Sequence, residues 1–82
     1  MDKTIVLSKE VIDDEKIRLE LKSICEDLKV RGYNPLKQIA GYVISGDPGY
    51  ISSYKDCRNR IKEIDRTSLV EILLEEYLKW NI

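Results

Sequence analysis

Apolar residues recur along this chain at helical rather than alternating spacing. Ile17, Leu21, Ile24, Cys25 and Leu28 fall three or four apart and form one stripe. Asp13 or Asp14 ahead of them can cap exposed N–H groups, and Glu15 suits the positive end of a helix dipole. Lys29 and Arg31 stand near the negative end, and Gly32 supplies a left-handed stop. The pattern predicts a first helix from Asp13 or Asp14 to Gly32. Asn34 as cap and Pro35 at the first helical position predict a second, from Pro35 to about Ser45. Ile39, Val43 and Leu36 line it, Ala40 and Ile44 widen the stripe, and Gly46 ends it. Asp47-Pro48 repeats the cap-plus-proline signal and predicts a single turn over Pro48 to Ile51. Ser53-Tyr54-Lys55-Asp56 matches a capping box and predicts a third helix from Tyr54 to about Asp65, burying Cys57, Ile61 and Ile64. Thr67 is the next cap, opening a fourth helix from Ser68 to about Trp80. There Leu69, Leu73, Tyr77 and Trp80 form one stripe, and Val70, Leu74 and Leu78 an adjacent one. Apolar surface that broad marks a core helix or a dimer-interface helix.

The reading is an all-α fold, a small bundle of four to five short helices over residues 13–82. Residues 1–12, "MDKTIVLSKEVI", read as a flexible N-terminal arm, in which Ile5-Val6-Leu7 fits either a strand or a docked tail. The stretch from Gly32 to Ile51 holds all four glycines and both prolines, and Gly-Tyr occurs in it three times. It contains neither GxxxxGK[ST] nor a GxGxxG after a strand, so "SGDPG" reads as a joint between helices rather than an anion cradle. Gly32, Asn34, Pro35, Gly46, Asp47 and Pro48 are then structural punctuation. Gly41 is different, because a glycine inside a helix costs about 1 kcal/mol against alanine. A close helix crossing, within or between subunits, is the gain expected of it.

Composition narrows the chemistry. Histidine is absent from the 82 residues, which removes His-based triads and most zinc spacings. Cys25 and Cys57 are isolated and read as small buried hydrophobes, not as a metal site or a disulfide. No cofactor or metal is implied, and nothing supports an enzyme. No apolar run is long enough for a membrane span and no signal-peptide pattern opens the chain, so a cytoplasmic protein is expected. Arg58, Lys62 and Arg66 fall four apart, on one face of the third predicted helix, with Arg60 off it. That face suits an acidic or phosphorylated partner. The alternative is a helical nucleic-acid-binding module reading with the same helix, which a net charge of −1 disfavours. Thr4 is an exposed hydroxyl between charged and apolar residues, a workable kinase substrate, with Ser8 a weaker second.

The segments "GYNPLKQIAGYVISGDPGYI" and "YKDCRNRIKEIDRTSLVEILLEEYLK" closely resemble the IreB-type regulatory phosphoprotein family of Gram-positive bacteria, within which ReoM is another name. The family hallmark, GYNP-xx-QI-x-GY-xx-SGDP-x-Y followed by D-x-RN and a leucine-rich final helix, is met at every fixed position, over about residues 17 to 79. The resemblance implies an all-helical homodimer without enzymatic activity. It implies a cytoplasmic substrate of a PASTA-type Ser/Thr kinase and its phosphatase, acting as a negative regulator of peptidoglycan synthesis and of resistance to cell-wall antibiotics. In some members the unphosphorylated protein promotes Clp-protease degradation of the UDP-GlcNAc enolpyruvyl transferase. Asp2-Lys3-Thr4-Ile5 matches the family's phosphoacceptor segment, which makes Thr4 the phosphosite; no other threonine precedes residue 60. Arg58 and Arg66 match family arginines, whereas Lys62 stands where arginine is usual and lacks its two-pronged donor. A phosphorylated arm then either folds onto the Arg58/Lys62/Arg66 face or repels an acidic partner.

Overall fold

The computed structural model describes residues 3–81, with side chains for 14–79. The described residues form helices joined by turns and short irregular links, with no strand among them. Four α-helices follow one another: α1 over Lys3–Val30, α2 over Pro35–Ser45, α3 over Cys57–Lys62 and α4 over Arg66–Asn81. Two single 3-10 turns, Pro48–Tyr50 and Tyr54–Asp56, lie between α2 and α3.

Helical backbone begins at Lys3, about ten residues before the caps considered at Asp13 or Asp14. Asp14 therefore lies within α1 instead of starting it. At about 1.5 Å per residue the helix spans about 42 Å, close to the 46 Å longest dimension of the molecule. Its far end closes as expected. Gly32, at φ 95°, donates its N–H to the Lys29 carbonyl, and Tyr33 donates to that of Leu28, the paired bonds of a Schellman motif. Asn34 Oδ1 accepts the Lys37 N–H at 3.2 Å with Pro35 at the first position. Gly46, at φ 75°, ends α2 through a bond to the Tyr42 carbonyl. Asp47 Oδ1 accepts the Gly49 N–H at 2.8 Å and opens the first 3-10 turn.

Two boundaries differ from the sequence reading. The capping box at Ser53 does not form: Ser52 Oγ takes the Tyr54 N–H, at 3.0 Å, and the Ser53 side chain makes no capping bond. Lys55 (φ 49°) and Asp56 (φ 62°) then turn left-handed, so α3 starts only at Cys57. It also ends early, at Lys62. The following helix is opened by the Asp65 carboxylate, which accepts the Ser68 N–H at 3.0 Å, and not by Thr67. A charged acceptor two residues upstream satisfies the same end of the helix and extends it back to Arg66.

The core draws on every helix. Ile24, Leu28, Ile51, Cys57, Ile61 and Leu69 are wholly buried, with Leu21, Ile39, Tyr42, Ile64 and Ile72 around them. α4 lies antiparallel to α1: Val70 shares a groove with Cys25, and Arg18 pairs with Glu75 and Glu76 at 2.6 Å further along. Trp80, expected on the α4 stripe, lies outside the described side chains.

Gly41 is explained by a close approach, but of an aromatic ring rather than of a helix. A Cβ added there would stand 2.8 Å from Tyr50 Cγ. Gly41→Ala is thus expected to lower stability although alanine is the better helix former. In a Tyr50→Ala background the same change should raise stability by up to about 1 kcal/mol. Chemical unfolding of the four proteins measures that coupling; simple additivity would rule out the ring contact as the reason for Gly41.

Candidate functional site

Arg58, Lys62 and Arg66 do not share one helix. Arg58 and Lys62 lie one turn apart on α3, whereas Arg66 is the first residue of α4. Between them Glu63 N–H bonds to the Arg60 carbonyl and Ile64 N–H to that of Ile61, closing α3. Each cation has its own setting. Arg58 is half buried, and its Nε donates to the Ile51 carbonyl at 2.8 Å. Lys62 is exposed. Arg66 is exposed, and its guanidinium lies against Gly46, so closely that a Cβ at Gly46 would overlap Nη1. There it faces the C-terminal end of α2, where a cation is electrostatically favoured. Arg58 and Arg66 thus lie at the two ends of one short joint, Gly46 to Ile51, the first bonded to it and the second packed against it.

The strongest electrostatic centre is Arg60, set aside in the sequence reading because it falls off that face. Its Nε donates to Glu20 at 2.6 Å, Nη2 to Ser23 Oγ at 2.8 Å, and Nη1 to Asp27 at 2.8 Å and to the Lys55 carbonyl at 3.2 Å. The hydrogen bonds to Glu20 and then Asp27 hold its pKa above the ordinary arginine value, so it is a permanent cation. Glu20, Ser23 and Asp27 fall at i, i+3 and i+7, a partly buried polar row beside the apolar stripe of α1. That row was the available sequence signal: polar residues bordering a core stripe call for a polar partner.

Next to this clamp the backbone is costly. Left-handed conformation costs a non-glycine residue about 1–2 kcal/mol, and Lys55 and Asp56 adopt it in succession. Local compensation is small. Lys55 Nζ lies 3.9 Å from Asp27 and 5.9 Å from the Tyr54 ring, while Asp56 accepts a bond from Asn59 Nδ2 at 2.8 Å. Arg31 lies over the same Tyr54 ring at 5.6 Å.

An apolar groove is the other open feature. Pro35, Leu36, Ile39, Ala40 and Val43 of α2 face Val70, Leu73 and Leu74 of α4, with Cys25 between them. Leu36 is 73% exposed and Leu74 54%. Burial raises the pKa of both Cys25 and Cys57, which keeps them as thiols at neutral pH. No group of three or more metal-ligating side chains occurs among the described residues, and no described helix is long and apolar enough to cross a membrane. Thr4 lies in the first turn of α1; its side chain is outside those described.

Residues 2–79 match the family model described as IreB regulatory phosphoprotein, nearly the whole chain, and the protein belongs to that family.

The settings of the cations separate stability from recognition. Arg58→Ala removes a charged donor from the carbonyl of a buried residue and should cost about 1.5 kcal/mol, whereas Lys62→Ala should leave the thermal midpoint unchanged. Circular-dichroism melting of the two variants checks this; equal midpoints would show that the Arg58 bond to Ile51 contributes nothing.

Proposed function

We propose that this member of the IreB family is a non-enzymatic cytoplasmic adaptor, switched by phosphorylation of Thr4 by a PASTA-type Ser/Thr kinase and reset by the cognate phosphatase. Unphosphorylated, it restrains peptidoglycan synthesis, and with it resistance to cell-wall antibiotics, by promoting Clp-dependent degradation of the UDP-GlcNAc enolpyruvyl transferase. The observation that carries this reading is the family match over residues 2–79, together with the Asp2-Lys3-Thr4-Ile5 phosphoacceptor segment. Arg58, Lys62 and Arg66 are the partner-binding cations of the adaptor.

The course of α1 favours one form of the switch. Thr4 precedes Glu20, the level at which Arg60 docks, by about 24 Å of helix. A phosphate there reaches the cations only if α1 unwinds; in the helical path it acts at a distance, by repelling an acidic partner that the cations attract. The first turn of a helix also has unpaired N–H groups and a positive dipole end, which tolerate a phosphate well.

The apolar groove between α2 and α4 fits a second copy of the chain. Its walls are apolar and wide open, with Leu36 and Leu74 more than half exposed. An 82-residue chain gains from such pairing, because small domains bury a limited share of their surface alone.

Phosphosite mapping by mass spectrometry, in cells with and without the kinase, tests the switch. Phospho-Thr4 should be present in the first and absent in the second; its persistence without the kinase would overturn the assignment. Analytical ultracentrifugation tests the groove. The wild-type chain should sediment as a dimer and Leu36→Glu/Leu74→Glu as a monomer of unchanged helicity. A dimeric double variant would move the interface elsewhere.

A further inference from the structure

We propose that Arg60 is a positioning residue, a latch that holds the left-handed Lys55–Asp56 corner against α1 and thereby sets how α3 presents Arg58 and Lys62. The proposal rests on the reading of those cations as a docking surface. Glycine occupies the two other left-handed positions described, 32 and 46, but a lysine and an aspartate occupy this corner. Strained backbone of this kind persists only where its surroundings over-determine it. The side chains of Lys55 and Asp56 do little of that, since both residues are exposed and the Lys55 ion pair is long, at 3.9 Å. Arg60 does far more. One planar guanidinium grips α1 at Glu20, Ser23 and Asp27, across two helical turns, and the corner at the Lys55 carbonyl. Only the fork of an arginine can serve four acceptors in one plane.

The rest of α3 is held differently. Cys57 and Ile61 are wholly buried, so α3 has an apolar pivot that does not depend on the latch. Opening Arg60 frees the corner while the pivot stays. A few element-terminal residues absorbing a backbone change around a packed pivot is the arrangement of a hinge. Arg58 and Lys62 turn with α3, and Arg58 is steadied by the Ile51 carbonyl. The latch therefore acts on recognition through orientation, without touching the partner.

Amide hydrogen exchange followed by NMR on the full chain tests this. Arg60→Gln should speed exchange at Asp56 and Cys57, whose N–H groups bond across the corner to the Ser53 and Tyr54 carbonyls, by about tenfold relative to Gly46, which closes α2. Arg60→Lys should fall between. Adding Asp56→Gly to Arg60→Gln should restore much of the protection, because glycine relaxes the corner that the latch otherwise holds. Uniform acceleration through all helices, no acceleration, or no rescue by Asp56→Gly would each overturn the latch. If Arg60→Gln does not fold, Glu20→Ala removes one of the four contacts and should give the same local pattern in weaker form. Lys62→Glu separates the two readings: it should leave exchange at Asp56 and Cys57 unchanged but abolish regulatory activity in cells. Retained activity would overturn the docking surface and leave the latch standing.

Discussion

Ile51 belongs to no helix and is wholly buried at the centre of a helical core. A residue of that kind brings backbone polar groups that no helical ladder satisfies, and inside a protein each must find a partner. Its N–H bonds to the Pro48 carbonyl at 3.0 Å, its carbonyl receives Arg58, and the next N–H, of Ser52, goes to Gln38 Oε1 at 2.9 Å. Much of the surrounding structure follows from these demands. The Asp47-Pro48 turn brings the chain back over α2, and Gly41 lets the Tyr50 ring lie against that helix. Gly46 leaves room for Arg66. The residues from Gly32 to Ile51, so unusual in composition, deliver Ile51 into the core beside Ile39 and Tyr42 and satisfy its backbone on the way.

What could be read in advance was local. Asn34-Pro35, Gly46 and Asp47-Pro48 act through bonds to residues at most four away, and each does what its chemistry suggests. Ser53 failed because the Asp56 N–H, which its side chain would take in a capping box, bonds to the Ser53 carbonyl instead, at 2.9 Å. Thr67 failed because a carboxylate stood two positions upstream. The second failure also divided one helix face between two helices: the four-residue spacing of Arg58, Lys62 and Arg66 assumed a helix running through all three, and a new helix starts at Arg66 instead. The left-handed corner was illegible for a different reason. Its support comes from a guanidinium whose carboxylate partners are 33 and 40 residues distant, and no window of sequence contains that arrangement.

The molecule is suited to electrostatic control because its own charge is nearly balanced. A phosphate adds about −1.5 to −2 charge at neutral pH, more than the net −1 of the whole chain. The positive groups divide into two kinds. Arg60 is consumed by internal partners and organises the fold, while Lys62 stands exposed. Arg58 and Arg66 also touch the joint that ends at Ile51, Arg58 through a hydrogen bond and Arg66 by packing against Gly46. Recognition and architecture are therefore joined at two of the three proposed contacts.

The clamp on Arg60 has a consequence for how such a chain can change over generations. Glu20, Ser23 and Asp27 have their placement on α1 justified by one residue, forty positions away at most. Replace Arg60 with an apolar residue and Glu20 loses its ion pair while Asp27 keeps only the long one to Lys55; replace a carboxylate and the guanidinium is under-served. Positions 20, 23, 27 and 60 are therefore one physical unit, in which a change at any one alters what the others must satisfy, although nothing in their spacing along the chain says so.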